Sequence, residues 1–291
     1  VLLIFVALGF VFFKDELNQI IEGGQVRKVR DGKTVVRKSD LQNDYNGAKV
    51  KKEDLLQGCF GQDCIPSINN PKFENVQKAS WLKEDDIVFT INYKGVQRAY
   101  PQRILNWHEI VNDTLPSSGQ AAGNPIAITF CPLCGSAVAF ERKVDGIITE
   151  LGVSGKLHDI DLVMYDRYEG NLWQQITGEA LVGPAARRNE KFKAVLLGTT
   201  TWGNWKKEHP NTEVLSRETG HSRNYDAYPY GTYEQDDQLY FGVKNLDKKL
   251  QIKTVVYGIE LNGKSKAYPA NIFDKSLLIE DSLGDTKLKL E

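Results

Sequence analysis

Two cysteines, Cys131 and Cys134, stand two residues apart in the run Phe-Cys-Pro-Leu-Cys-Gly over 130–135. That spacing lets one turn aim both sulfurs at a common point, which suits a metal ion or a disulfide. Cys-Pro-x-Cys-Gly has the form of a zinc-ribbon knuckle, in which glycine frees the backbone to turn and proline fixes the entry. A tetrahedral site then wants two more ligands. The chain offers Cys59 and Cys64, or its four histidines, His108, His158, His209 and His221. The same pair also fits a redox dithiol, whose first thiol is usually exposed at a helix N-terminus. Here Gly-Ser-Ala-Val-Ala-Phe after Cys134 reads as a strand, which weakens that alternative. A plain disulfide, or two buried thiols packed as small hydrophobes, is the third reading.

Cys59 and Cys64 lie in a loop with Gly58, Gly61 and Pro66, flexible enough to close a local disulfide of their own. His108 follows Trp107 and precedes Glu109, a carboxylate that would orient the ring or face solvent. His209 falls at a helix C-terminus, where the dipole favours a charged imidazole, and His158 and His221 lie in polar turns. A second polar cluster contains Lys156, Asp161, Asp166, Arg167, Gln174, Gln175 and Glu179. Alternation over 161–167 puts Asp161, Val163, Tyr165 and Arg167 on one face and Leu162, Met164 and Asp166 on the other. Neither face is cleanly apolar, which suits either a polar pocket or packing on both sides. Asp166 and Glu179 are candidates for an acid/base pair on neighbouring hairpins, and Cys131 with His108 for a nucleophile and its base.

The elements that must position these residues are mostly extended. Residues 124–134 read as a buried strand running into a turn, followed by hairpins about Asp145-Gly146 and Glu169-Gly170. Residues 88–105 align with 256–273 at an offset of 168, keeping Val, Ile, Gly, Ala-Tyr-Pro and Ile in register. Each copy reads as a hairpin feeding a short helix, the first covering 101–113 with Ile104, Leu105, His108 and Val111 on one face. A further helix is expected where Thr200 or Thr201 caps a segment bearing Trp202 and Trp205 and stopped by Pro210. The fold class expected is α+β: a β-rich core of hairpins with a few short helices, after an N-terminal membrane segment.

That segment is 1–13, an uncharged and almost wholly apolar run that begins at Val1 rather than methionine. It reads as a truncated transmembrane or signal-anchor segment, since its length fits part of a spanning helix or a signal core. No small-residue cleavage pair follows Phe13, which points to an uncleaved anchor. Residues 14–57 read as a polar juxtamembrane stalk with a hairpin about Asp31-Gly32, and 58–291 as a single globular domain. An anchored chain of this kind lies outside the cytoplasm, in the periplasm or at the cell surface, where thiols tend to be oxidised or metal-bound. With 37 basic against 38 acidic residues the chain has no global charge footprint for nucleic acid. Phosphate-binding glycine loops, His-Glu-x-x-His, Gly-x-Ser-x-Gly and EF-hand patterns are missing from the sequence, which removes support from common hydrolase and nucleotide-dependent classes. The residues name the membrane as a partner and no particular small molecule or protein.

Several long motifs occur in one order: AYPQRILNWHEIVND, TFCPLCGSAVAF, GVSGKLHDIDLVMYDRYEGNLWQQITGEALVG, TTWGNWKKEHPNTEVLS and YDAYPYGTY. On these, from Asp63 to Tyr233, the chain resembles a family of exported and membrane-tethered prokaryotic proteins known as a domain of unknown function. The resemblance brings no activity. It implies that Trp107, His108, Glu109, Cys131, Cys134, Lys156, Asp161, Asp166, Trp173, Gln174, Glu179, Trp202 and His209 fall in motif positions. Cys64, His158 and His221 depart from the family's pattern, so the expected metal site narrows to Cys131, Cys134 and His108, with His209 as a fourth group. Copper and zinc both suit such a set.

Overall fold

The computed structural model describes residues 43–93, 95–116, 123–244, 246–274 and 278–290, and the backbone of 25–30 and 33–38. The expected membrane segment over 1–13 lies outside the described residues. Among those described, no helix is long and apolar enough to cross a membrane. In chain order the strands are β1 (Gln25–Arg30), β2 (Lys33–Lys38), β3 (Leu56–Gln57), β4 (Phe73–Asn75), β5 (Ile87–Tyr93), β6 (Val96–Pro101), β7 (Ile110–Leu115), β8 (Asn124–Cys131), β9 (Ser136–Glu141), β10 (Lys143–Val144), β11 (Ile147–Ile148), β12 (Leu151–His158), β13 (Asp161–Asp166), β14 (Leu172–Gln174), β15 (Ala180–Val182), β16 (Ala194–Val195), β17 (Gly198–Thr201), β18 (Glu213–Leu215), β19 (Val256–Leu261), β20 (Lys264–Pro269), β21 (Ile279–Leu283) and β22 (Thr286–Leu290). The helices are α1 (Gln102–His108), α2 (Pro184–Arg187) and α3 (Trp202–Glu208), with 3-10 turns at Lys52–Asp54 and Ala270–Asp274. The β-rich α+β class is therefore what the chain adopts.

The chain divides into two compact units, one through Gly231 and one from Thr232. The first unit stacks three sheets, ordered β15-β14-β13-β12-β3, β16-β9-β8-β7 and β17-β5-β6-β18-β4. The layering follows from side-chain alternation in the middle sheet. Ala127 and Cys131 of β8 join Leu162, Met164 and Trp173 of the first sheet in one core. Ile126, Ile128 and Phe130 point the other way, to Phe89, Ile91 and Tyr100 of the third sheet and to Ile104 and Leu105 of α1. Beyond the third sheet, Trp202 and Trp205 of α3 cover Val88, Ala99 and Val214. Beyond the first, Leu55, Tyr45, Ala48 and Val50 cover Val163, Tyr165 and Leu172. Residues 45–55, read from sequence as stalk, thus pack on the domain.

The ambiguous face pattern of 161–166 has a simple cause. Strand β13 is central in its sheet and buried at every position, so both faces meet cores. Helix α1 is shorter than expected, ending at His108; Glu109 turns with φ 58 and Ile110 begins β7. Helix α3 begins as expected, with Thr201 Oγ accepting from the Asn204 amide at 3.4 Å. The hairpin expected about Asp31-Gly32 is the antiparallel pair β1–β2, with Arg30 opposite Lys33.

The second unit contains the hairpins β19–β20 and β21–β22. Its first hairpin repeats the register of β5–β6: Val88 faces Pro101 and Phe89 faces Tyr100, as Val256 faces Pro269 and Tyr257 faces Tyr268. The likeness runs past the aligned stretch, into β7 and β21. In the first copy the Tyr100 hydroxyl donates to Asp113 at 2.6 Å and Arg98 pairs with the same carboxylate at 2.8 Å. In the second, Tyr268 donates to Asp281 at 2.9 Å and Lys266 pairs with it. The offset of 168 holds at all three positions, so a hairpin, a short helix and a third strand are repeated together with the polar lock that ties strand to hairpin.

Candidate metal centre

The site is built where two tight turns meet. The β8–β9 hairpin pairs Cys131 with Ser136 and closes through Pro132, Leu133, Cys134 and Gly135. The Gly135 amide donates to the Cys131 carbonyl at 2.8 Å, with φ 64 at Gly135, a conformation glycine adopts without a Cβ clash. The second turn joins β12 to β13, with His158 opposite Asp161 and only Asp159 and Ile160 between. Both loop residues have positive φ, 49 and 70, as a two-residue turn of this hand demands. A β-branched residue such as Ile160 pays for that conformation, and backbone strain of this kind concentrates at functional sites. Ile160 presents its carbonyl to the Cys131 sulfur at 3.6 Å.

Cys131, Cys134 and Asp161 converge there, with one ligand atom from each lying within 4.8 Å of the others. Cys131 and Asp161 are buried, whereas Cys134 is exposed and gives the site its opening. The Cys134 sulfur lies 3.3 Å from Asp161 Oδ1 and 2.9 Å from the Ser136 hydroxyl. Burial pushes the Cys131 thiol well up, and neighbouring Cys134, Asp161 and Glu109 push it further, all of them acids. Asp161 is also raised by burial, against the hydrogen bonds it accepts from the Ile176 amide and the Gln174 side chain. Its neighbour Gln175 accepts from Ser136 at 2.8 Å and donates to Thr129 at 2.9 Å. Consecutive glutamines thus hold the carboxylate and the hydroxyl that touches Cys134, a division of labour that the polar cluster in the sequence did not disclose.

His108 is elsewhere engaged. Its ring nitrogens lie 2.7 Å from the Pro66 carbonyl and 2.7 Å from the Tyr225 hydroxyl, and burial brings its pKa down to about 4. His209 packs on the Trp205 ring, 3.9 Å between centroids, beyond the end of α3. Neither joins the cysteine group among the described residues. His158 Nδ1 donates to the side-chain oxygen of Gln174 at 2.7 Å, and the same amide's nitrogen donates to Asp161, so His158 is linked to Asp161 through that amide. Cys59 and Cys64 form a disulfide, with Cα atoms 6.1 Å apart, and Cys131 and Cys134 are free thiols.

Asp166 and Glu179 are not brought together as an acid/base pair. Asp166 caps the β13–β14 turn, accepting from the amides of Tyr168, Glu169 and Asn171, the Asn171 side chain and the Trp173 indole. Glu179 is half-exposed and pairs with Lys191 at 3.6 Å. The residue that sequence reasoning missed as a candidate ligand is Asp161, which it had placed only in a polar cluster. The available signal was its position directly after a two-residue turn.

A family model described as "Protein of unknown function (DUF3179)" matches residues 62–291. No curated protein and no solved structure matches the chain.

Proposed function

From the premise that the chain belongs to this DUF3179 family, whose description carries no activity, we propose that it is a membrane-anchored, extracytoplasmic protein that binds a transition metal through Cys131, Cys134 and Asp161. The observation that carries this reading is the convergence of two sulfurs and a buried carboxylate within 4.8 Å. Three acids placed so close stay protonated or take a cation, and thiolates select copper or zinc among the common ions. The apolar run at 1–13 supports the anchor, and the Cys59–Cys64 disulfide suits an oxidising compartment.

The alternative in which Cys131 attacks as a thiolate with His108 as base has less support. Burial raises that thiol, and both nitrogens of His108 are already engaged. A Cys131–Cys134 disulfide is read by mass spectrometry before and after reduction. Metal analysis of the anaerobically purified chain tests the main reading. One bound equivalent, lost in Cys131→Ser and Asp161→Asn, is the expected result. Metal at trace level in the parent protein, or retained in both variants, contradicts it.

A further inference from the structure

Ser136 begins β9 directly opposite Cys131, so the two side chains rise side by side from one face of the sheet. Its hydroxyl oxygen lies 2.9 Å from the Cys134 sulfur. Which of the two donates is decided by the buried Gln175. The side-chain nitrogen of Gln175 lies 3.3 Å from the Ser136 carbonyl, which can only accept, and 2.9 Å from the Thr129 hydroxyl. Thr129 gives its own proton to the Val138 carbonyl at 2.7 Å, so it too accepts from Gln175. The amide is thereby held in one orientation, with its oxygen 2.8 Å from Ser136 Oγ. An amide oxygen only accepts. The single hydroxyl proton of Ser136 is therefore committed to Gln175, and the lone pairs of its oxygen are left facing Cys134.

In the metal-free protein the Cys134 thiol thus has one proton and two acceptors, Ser136 Oγ at 2.9 Å and Asp161 Oδ1 at 3.3 Å. A cation relieves that surplus of acceptors, because it takes the thiolate and both oxygens at once. Charge argues for a neutral oxygen in the same place. Two thiolates and a carboxylate already more than neutralise a divalent ion, so a further anionic donor adds repulsion whereas a hydroxyl adds none.

We propose that the Ser136 hydroxyl is the fourth, neutral donor of the Cys131, Cys134 and Asp161 site, and that it closes the coordination shell, so the centre holds its ion without an open position for a substrate. The inference rests on the metal reading given above. Four protein donors mark a site that fixes or stores the ion, whereas a catalytic one keeps a position for water or substrate. The exposed Cys134 is then the side on which the ion enters and leaves.

Cobalt(II), a spectroscopic stand-in for zinc, is titrated anaerobically into the metal-free full chain and into Ser136→Ala, Ser136→Cys and Cys131→Ser. The parent protein is expected to show a thiolate-to-cobalt charge-transfer band, weakened in Cys131→Ser, and a visible spectrum that added imidazole leaves unchanged. Ser136→Cys puts a third sulfur at the proposed donor position and is expected to raise the band per bound ion by about half. Ser136→Ala is expected to bind cobalt about tenfold or more weakly and to take imidazole into the vacated position, with a shift of the visible bands. A smaller loss of affinity in Ser136→Ala, a band in Ser136→Cys no stronger than the parent's, or imidazole bound to cobalt in the parent overturns the role of Ser136 while leaving the cysteine site in place. Absence of the charge-transfer band in the parent overturns the cysteine site itself, and this inference with it.

Discussion

At the scale of single residues, burial decides what each titratable group does. His108 keeps a pKa near 4 because burial disfavours its charged form. The unfolded chain therefore binds a proton that the folded one refuses between about pH 6.5 and 4, and stability falls as pH drops through that window, by up to about 3 kcal/mol. Glu109 acts with the opposite sign. Its pKa is raised by burial to about 7, so the stability it contributes when protonated is lost as pH rises from about 4.5 to 7. The two slopes offset each other in the parent protein, and variants separate them. Urea unfolding of metal-free His108→Asn is expected to lose the acid-side decline, so the parent and variant curves diverge below pH 6.5. Parallel curves would show that the imidazole titrates alike in both states. Cysteine spacing was legible in the sequence at this scale, because Cys-x-x-Cys is a local pattern. The third member of the candidate group was not, because Asp161 reaches Cys134 across 27 residues and between two sheets.

At the scale of elements, the site depends on turns whose backbone leaves little room. Strand β12 shifts register between Val153 and Lys156, where Gly155 has φ 79 and the disulfide loop lies over it. A Cβ at Gly155 would approach the Cys59 carbonyl to 2.5 Å and the Gly61 carbonyl to 2.7 Å, both backbone atoms that cannot swing away. Gly155→Ala is therefore expected to cost about 2–4 kcal/mol, read as a lowered unfolding midpoint, from the strained φ together with displacement of the loop. A change within about 0.5 kcal/mol would mean that the loop yields freely. Hairpins and their turn residues were readable from alternation and from Asp-Gly and Glu-Gly pairs. The end of α1 was not. The run Ile104, Leu105, His108, Val111 has helical spacing, yet β7 claims Ile110 onward because Ile128 and Thr129 of β8 offer it a ladder. Long-range pairing overrode a local pattern.

At the scale of the whole molecule, the repeat separates what the fold needs from what the site needs. The Arg98–Tyr100–Asp113 lock is buried, with side-chain exposures of 9% and 4% for the ion pair. Asp113→Ala leaves Arg98 and Tyr100 without their buried acceptor, and a loss of about 3–5 kcal/mol is expected in chemical unfolding. Asp281→Ala removes the same group from a more exposed copy and is expected to lose less. Equal losses would mean that the copies are equivalent in packing as well as in register. The repeat was visible in the sequence over its hairpins, where Ala-Tyr-Pro marks both, but its extension to Asp113 and Asp281 emerges only once both tyrosines are seen to bond them. The division near Gly231 had no clear marker, since loop composition is similar on either side of it.

The metal centre is the claim on which the functional account stands, and X-ray absorption at the edge of the bound metal tests it most directly. The account predicts two sulfur scatterers near about 2.3 Å with oxygen donors near about 2.0–2.2 Å, and loss of the sulfur shell in Cys131→Ser with Cys134→Ser. A bound metal surrounded by nitrogen and oxygen alone, or an unchanged spectrum in the double variant, would contradict it.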